Sequence, residues 1–302
     1  MRIYAPLVAL PLVAECASPG KIWHFTDIHV DPIYIVGSDI YAYCNGNVTD
    51  GVNKAGAWGE PAGDCATPLK LYNSAVNFMN SRTNSDDSNF DFVFFTGDYT
   101  QAGLPTQGDV INTIARTWSI LEDALPGMPL YGCVGNHDSY PGNQFPYPFD
   151  LYYSIAAVWD NFLPPDSKKT VEDGGYYSLS PPNRDEVRII SINTMYLVNL
   201  NSHVTDEDDP AHAFGYTMLD WFESELKLAT SKNQNIYVLG HIPPHAGFWL
   251  DDHLLVSSQH DAPGERVAKT LCSLKFVSKS ILKHCPCTSR TFSNFLSSAT
   301  KI

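Results

Sequence analysis

The chain has 302 residues, of which 44% are hydrophobic, so it is long enough to bury the core of one large domain. Its formal net charge is −14 at pH 7, and an acidic chain is repelled by the phosphate backbone of nucleic acids. Composition therefore favours a globular protein and argues against a nucleic-acid polymer as its default partner.

The N-terminal residues 1–19 have the pattern of a secretory signal peptide. Arg2 precedes an apolar run at residues 3–14, and small residues follow near position 17. The alternatives are a buried strand and a membrane anchor, but the run is shorter than the roughly 20 residues that span a bilayer. We therefore expect no transmembrane segment, and a mature protein that is secreted or delivered to an acidic compartment such as the lysosome.

Strand and helix patterns alternate along the chain from residue 20 onward. Four apolar runs predict buried strands at residues 22–26, 90–95, 128–131 and 236–239. Amphipathic helices are predicted at residues 70–82, 107–124, 150–162 and 216–230, and two further strands at residues 176–179 and 188–192. The first helix is expected to pack through Leu71, Ala75, Phe78 and Met79. This alternation predicts a layered α/β fold, with central sheets flanked by helices.

A long loop, residues 32–68, separates the first strand from the first helix, and its residues 45–64 are rich in Gly and Asn. It contains Cys44 and Cys65, and because the residues between them offer few apolar side chains, we expect a disulfide to hold the loop. Asn47 lies inside the loop and begins an Asn-x-Thr glycosylation acceptor. Cys133 falls in a predicted strand and is expected to be a buried thiol.

Side chains that can bind metal ions follow each of the four apolar strands. They are Asp27 and His29, then Asp98, then Asn136, His137 and Asp138, and finally His241. Because α/β sheets place their chemistry at the carboxyl ends of strands, we expect these side chains to converge. Carboxylate, amide and imidazole ligands suit zinc, iron or manganese better than calcium. Taken singly, each residue is more often a turn former or a core side chain, so the hypothesis depends on the ordered set.

The order of these motifs resembles that of the calcineurin-like metallophosphoesterases. The shared pattern is Asp-x-His, Gly-Asp, Gly-Asn-His-Asp and Gly-His, at residues 27–29, 97–98, 135–138 and 240–241. Fuller motifs at residues 25–34 and 240–244 resemble acid sphingomyelinase and the acid sphingomyelinase-like phosphodiesterases. The likeness implies a metallophosphoesterase-type β-sandwich flanked by helices, which holds two divalent metal ions, with zinc as the expected metal.

The resemblance also implies how the ions are held. Asp98 would bridge the two ions, since each oxygen of a carboxylate can bind one of them. Asp27 and His29 would complete the first metal site. Asn136 and His241 would complete the second, where a neutral amide ligand limits the negative charge.

The chemistry implied by the resemblance is hydrolysis of a phosphodiester by metal-activated water. His137 would act as the catalytic acid that protonates the leaving alkoxide. Asp138 would orient His137 or a neighbouring ligand. The expected substrates are phosphodiesters, either a phospholipid such as sphingomyelin or a nucleotide-like compound.

Two features depart from the family pattern. Residues 99–103 contain no histidine, whereas the sphingomyelinase-like members usually carry one there, beside the phosphate. No Gly-His-x-His motif follows His241, although the family completes its metal site with such a motif. Residues 266–302 instead carry seven Lys or Arg residues and no Asp or Glu, which marks an atypical basic tail.

These observations give a domain prediction with two readings of the C-terminus. We expect a signal peptide at residues 1–19, a metallophosphoesterase catalytic domain at 20–264 that is incomplete at its C-terminus, and a basic tail at 265–302. The tail is either a replacement for the true C-terminal third or a divergent segment. The leading function is a secreted, metal-dependent, sphingomyelinase-like phosphodiesterase. The alternative is a non-catalytic, truncated family member that lacks the last metal-binding motif.

Overall fold

The computed structural model describes residues 20–48, 51–85 and 90–243, which form eight strands and five α-helices. The strands are β1 Lys21–Phe25, β2 Val30–Asp31, β3 Thr67–Pro68, β4 Phe90–Phe95, β5 Leu130–Gly132, β6 Tyr177–Leu179, β7 Val187–Ser191 and β8 Asn235–Leu239. The helices are α1 Leu69–Thr83, α2 Gln107–Ala124, α3 Leu151–Val158, α4 Pro165–Gly174 and α5 Pro210–Ser231. Two short 3-10 helices, Thr194–Tyr196 and Ser202–Val204, lie between β7 and α5.

The longer strands form two three-stranded sheets. In the first sheet β1, β4 and β5 run parallel, with Phe25 opposite Phe95 and Phe95 opposite Gly132. In the second sheet β7 lies between the antiparallel β6 and the parallel β8, with Ser191 opposite Leu239. The carboxyl ends of β1, β4 and β5 therefore meet at one edge of the first sheet, where α/β proteins place their sites.

The two sheets face each other through aromatic side chains. The ring of Tyr237 on β8 lies 5.7 Å from Phe92 and 5.5 Å from Phe94 on β4, measured between centroids. The hydroxyl of Tyr177 on β6 donates a hydrogen bond of 2.8 Å to the carbonyl of Gly132 on β5. A single buried apolar cluster therefore runs through both sheets.

Helices cover the outer faces of the sheets. The Tyr72 ring of α1 lies 6.5 Å from the Phe25 ring of β1. Helix α5 packs against β7 and β8 and buries Leu219, Phe222 and Leu226, as its periodicity predicts. The prediction of a layered α/β fold with flanking helices is therefore confirmed.

The packing face of α1 differs from the predicted one. The helix buries Tyr72, Val76 and Met79, whereas Leu71 and Phe78 are 41% and 59% exposed. The sequence carries two apolar stripes that are offset by one residue, and both have helical spacing. Only contact with the first sheet selects between them, so the prediction from periodicity alone was correct for Met79 and wrong for Leu71 and Phe78.

Two further helix boundaries differ from their predictions. The helix expected over residues 150–162 ends at Val158, and a separate polar helix, α4, follows it. Helix α5 begins at Pro210, six residues before its predicted start, because Asp209 caps it by accepting a hydrogen bond of 2.9 Å from the Ala211 amide. An Asp-Pro pair at a helix start is a readable signal that apolar periodicity did not capture.

The loop between β2 and β3 contains the disulfide that its composition predicts. Cys44 and Cys65 are bonded, with their Cα atoms 5.1 Å apart. Cys44 also packs with Ile40 and Ala55 in a small buried cluster separate from the main core. Asn47 is exposed in this loop. Elsewhere Cys133 is a buried free thiol, as expected.

Several predictions concern residues that the structure does not describe. They are the signal peptide at residues 1–19, the basic tail at 265–302 and Thr49 of the glycosylation acceptor. Among residues 20–48, 51–85 and 90–243, no helix combines the length and the hydropathy needed to cross a bilayer.

Candidate metal centre

Loops at the carboxyl ends of β1, β4, β5 and β8 bring the expected site residues together. Among the described residues, two groups of side chains place potential ligand atoms within 4.8 Å of one another. The groups are His29, Asp98 and His137, and Asp27, Asp98 and His241. Because Asp98 belongs to both groups, it occupies the shared position expected for a bridging carboxylate.

Asp98 lies at the centre of this arrangement. Its side chain is 2% exposed, and its Oδ2 atom is 3.4 Å from Nε2 of His29 and 3.4 Å from Nε2 of His241. Its other oxygen, Oδ1, accepts a hydrogen bond of 2.8 Å from the backbone amide of His137. One oxygen is therefore fixed by the backbone, while the other faces both imidazoles. A bridge at this position would use Oδ2 for both ions, which differs from the expectation of one oxygen for each ion.

The backbone around the centre adopts unusual conformations. Asp27, His29 and Asp98 have φ angles of 52°, 47° and 56°, in the left-handed region that residues other than glycine seldom adopt. The amides of Asp27 and His29 hold this shape by donating to the carbonyls of Gly97 and Asp98 at 3.2 and 3.0 Å. A side chain at Gly97 would come within 2.6 Å of the Gly135 amide. The two loops therefore require glycine at their closest approach.

Backbone carbonyls set the orientation of both imidazoles. Nδ1 of His29 is 3.0 Å from the carbonyl of Thr100, and Nδ1 of His241 is 2.8 Å from the carbonyl of Thr96. A carbonyl oxygen can only accept, so both Nδ1 atoms donate. In the neutral rings the lone pairs are then on the Nε2 atoms that face Asp98. In metal sites, a histidine ligand is usually held in place by a hydrogen bond from its other ring nitrogen.

A third acceptor, Oδ1 of Asn136, lies 2.8 Å from Nε2 of His241. Oδ1 of Asn136 and Oδ2 of Asp98 are therefore two acceptors close to Nε2 of His241, and this nitrogen carries no proton when the imidazole is neutral. Such a set of acceptors is stable only if a proton or a cation lies among them. Carboxylate, amide oxygen and imidazole are all ligands of divalent transition metals, so the residues fit the metal ions that the fold implies.

The pKa of His241 also indicates that the site favours a positive charge. Burial lowers the pKa of its imidazole, but the hydrogen bond and the charge of Asp98 outweigh this and raise the pKa to about 9. For Asp98 the two effects have the opposite signs. Burial raises the pKa of its carboxyl group, but the hydrogen bond and the charge of His241 outweigh this, so the pKa falls below its usual value. The site therefore favours an ionised carboxylate together with a nearby cation.

His137 lies beside these residues and has a free nitrogen. Its ring centroid is 5.0 Å from that of His29. Its Nδ1 atom is buried and has no hydrogen-bond partner among the described residues. Burial lowers the pKa of the imidazole, and the charge of Asp98 partly opposes this. Although its position would allow metal binding, the family resemblance assigns it the role of acid.

Asp138 connects the loop after β5 to the loop after β4 by accepting hydrogen bonds from backbone amides. Its Oδ2 atom accepts hydrogen bonds from Gly135 at 2.7 Å and from Asp98 at 2.9 Å, and its Oδ1 atom accepts one from Tyr99 at 2.8 Å. Burial raises the pKa of Asp138 to about 7, the charge of Asp98 adds to this, and the amide donors oppose it. Asp138 thus binds the backbone of Asp98, a candidate metal ligand, in line with the second of its two expected roles.

Replacing Asp138 by asparagine should destabilise the fold. An asparagine has one acceptor oxygen where Asp138 uses two, so its amide group would face a backbone N–H in a fully buried site. We expect a loss of about 1–3 kcal/mol in the free energy of unfolding, the usual cost of a buried unsatisfied group. Urea denaturation of Asp138→Asn beside Asp123→Asn, an exposed carboxylate, measures it. Equal stability of the two variants would contradict a stabilising role for the hydrogen bonds that Asp138 accepts.

The structure also shows contributors that the sequence did not reveal. Thr96 and Thr100 act through their backbone carbonyls, and the Thr100 hydroxyl donates to the carbonyl of His137 at 2.9 Å. Asn143 accepts a hydrogen bond of 2.9 Å from Nδ2 of Asn136. Contacts through carbonyls have no sequence signature, because every residue has one. His24, which matches no family motif, lies outside the centre with its Nε2 atom 2.8 Å from Oγ1 of Thr96.

These features define a candidate binuclear metal centre on a layered α/β scaffold, and comparison with known families agrees. The profile of the calcineurin-like phosphoesterases matches residues 20–274. The chain therefore belongs to the calcineurin-like phosphoesterase family.

Two curated relatives indicate the part of the family to which the chain is similar. Acid sphingomyelinase-like phosphodiesterase 3b of Homo sapiens is 31% identical over 251 residues, which cover 81% of this chain and 52% of the relative. Cyclic GMP-AMP phosphodiesterase SMPDL3A of Bos taurus is 28% identical over 245 residues, which cover 79% of this chain and 52% of the relative. The chain thus spans about half the length of these relatives.

Among solved structures, the chain is similar to a dimetal phosphatase from Danio rerio. The TM-score is 0.47 and the sequence identity is 13%. The match covers 83% of this chain and 77% of that one.

Proposed function

We propose that this chain is a secreted phosphodiesterase that uses two divalent metal ions, with zinc as the expected metal. The observation that carries the proposal is the position of Asp98, whose Oδ2 atom is equidistant, at 3.4 Å, from Nε2 of His29 and Nε2 of His241. A buried carboxylate between two imidazoles with fixed tautomers suits a bridging ligand better than a structural ion pair.

The family resemblance divides the ligands into two sets around Asp98, whereas the groups of ligand atoms within 4.8 Å pair Asp27 with His241 and His29 with His137. Asp27 and His29 would hold one ion, and Nε2 of His29 lies 4.0 Å from Oδ1 of Asp27. Asn136 and His241 would hold the other. When bound, such a pair of ions supplies Lewis acidity that activates water and offsets charge on the phosphoryl oxygens. Imidazole and carboxylate donors are those that zinc takes in catalytic sites.

The remaining residues position groups and move a proton. His137 would donate a proton to the leaving oxygen of the substrate through Nε2, because its Nδ1 atom is buried. Hydrogen bonds hold the backbone of His137 from two sides, through Oδ1 of Asp98 and the hydroxyl of Thr100. Asp138 fixes the positions of the loops that carry Asp98 and His137 relative to each other.

The proposed substrates are phosphodiesters, either a choline phospholipid such as sphingomyelin or a nucleotide-like diester. This proposal draws on the names of the relatives, one a sphingomyelinase-like and the other a cyclic GMP-AMP phosphodiesterase. We further propose export through the signal peptide at residues 1–19, glycosylation at Asn47 and a catalytic domain at residues 20–264. The finished protein would act outside the cell or in the lysosome.

The proposal is tested with the full chain, purified from the medium of secreting cells. We expect about two equivalents of divalent metal per chain, the stoichiometry of two-metal hydrolases, and hydrolysis of bis(p-nitrophenyl) phosphate that stops on chelation and returns with zinc. Sphingomyelin and cyclic GMP-AMP then identify the substrate class. Metal binding without turnover of any diester would support the non-catalytic alternative. The absence of bound metal would overturn the proposal.

A further inference from the structure

Asn143 makes two hydrogen bonds to Asn136, one of the proposed metal ligands. Its side-chain oxygen Oδ1 accepts from Nδ2 of Asn136 at 2.9 Å, and its backbone amide donates to the carbonyl of Asn136 at 2.7 Å. Asn143 has a φ angle of 67°, which asparagine tolerates better than most residues. The residue thus holds both the backbone and the side chain of Asn136.

The orientation of the Asn136 amide decides whether it can bind a cation. An amide has an oxygen at one end and an NH₂ group at the other, and only the oxygen is a ligand. Because Nδ2 is bound to Asn143, Oδ1 of Asn136 faces His241, at 2.8 Å from its Nε2 atom. A rotated amide would direct its NH₂ group at the cation.

The loop that carries Asn143 is itself anchored to a distant part of the chain. The Phe145 amide donates to Oδ1 of Asn201 at 3.1 Å, and Nδ2 of Asn201 donates back to the Phe145 carbonyl at 2.9 Å. Phe145 and Asn201 are both fully buried. Asn201 also donates to the carbonyl of Met195 at 3.1 Å. The loop that carries Asn143 is therefore fixed by buried hydrogen bonds to Asn201.

We propose that Asn143 is a positioning residue that keeps the side-chain oxygen of Asn136 directed at the cation it shares with His241. This inference rests on the proposed metal centre. Asn143 itself binds neither metal nor substrate and acts only through Asn136. Its contribution should therefore appear in metal affinity, and it should depend on residue 136 being an amide.

The test measures cobalt(II) affinity by absorbance titration of the metal-free full chain. We expect Asn143→Gly, which keeps the backbone conformation and loses the acceptor, to weaken one of two cobalt sites about 10–100-fold, the usual effect of removing a hydrogen-bond partner of a metal ligand. Asn143→Asp keeps an acceptor oxygen and should restore the affinity. Ser202→Ala removes a hydrogen bond to Gln144 in the same loop and should leave the affinity unchanged.

A double-mutant cycle separates orientation from general support of the loop. In an Asn136→Asp background both side-chain oxygens are equivalent ligands, so Asn143→Gly should cause no loss of cobalt affinity. An equal loss in both backgrounds would overturn the inference, and so would an unchanged affinity of Asn143→Gly in the wild-type background. If Asn143→Gly does not fold, as judged by thermal unfolding of the metal-free chain, the same cycle is measured with Asn143→Ala, which also lacks a side-chain acceptor.

The outcome also distinguishes this inference from the proposed function. A wild-type chain that binds no cobalt would overturn both. A wild-type chain that binds two equivalents, with variants that do not differ, would overturn only the role of Asn143.

Discussion

Replacing Asp98 by asparagine is expected to abolish phosphodiester hydrolysis and to remove both metal ions. The change is nearly isosteric, and the remaining oxygen can still accept from the His137 amide. It removes the negative charge of the carboxylate whose Oδ2 atom lies 3.4 Å from Nε2 of both His29 and His241. Loss of a residue that only hydrogen-bonds a metal ligand weakens metal binding about 10–100-fold, so loss of a shared ligand should weaken both sites by more than about 100-fold.

Metal content after dialysis and cobalt titration measure this effect apart from activity. Thermal unfolding in the presence of a chelator shows whether the metal-free variant is folded, and Asp123→Asn serves as the control for loss of one negative charge. If Asp98→Asn retained two tightly bound ions, Asp98 could not be the bridge. Retention of one ion would mean that Asp98 serves a single site.

The strands and the loops that carry the site were predictable from sequence. Strand β4 and helix α2 have the predicted bounds, Phe90–Phe95 and Gln107–Ala124. A buried parallel strand is a short apolar run, and the polar residue after it must lie at the edge of the sheet. The convergence of Asp27, Asp98 and His241 follows from this geometry, together with the order of the family motifs.

The supports of the site were not predictable in the same way. The tautomers of His29 and His241 depend on carbonyls of residues 96 and 100, whose identity does not matter for this contact. The hydrogen bond from Asn136 to Asn143 requires a left-handed residue in a loop of irregular structure. The face of α1 depends on packing against the first sheet. Each of these results from tertiary contact, which a single sequence does not encode in a local pattern.

Replacing His137 by glutamine is expected to slow the hydrolysis of substrates with alkoxide leaving groups far more than that of nitrophenyl diesters. A proton donor contributes about 10²–10⁴-fold to the rate when the leaving group is a poor one. Nitrophenolate leaves without a proton, so the same variant should retain most of its activity on bis(p-nitrophenyl) phosphate. The measurement is kcat on both substrate types for the wild type and for His137→Gln.

The comparison of two leaving groups distinguishes an acid from a metal ligand at position 137, which the distances alone do not. A ring nitrogen of His137 lies within 4.8 Å of ligand atoms on His29 and Asp98, so the residue is close enough to bind a metal ion or to act as an acid beside it. Loss of a ligand would lower the metal content and slow both substrates to a similar degree. Loss of an acid would leave the metal content at the wild-type value and slow only the substrates whose leaving oxygen needs a proton. A uniform loss on both substrates, with less bound metal, would therefore move His137 from the acid role to the ligand set.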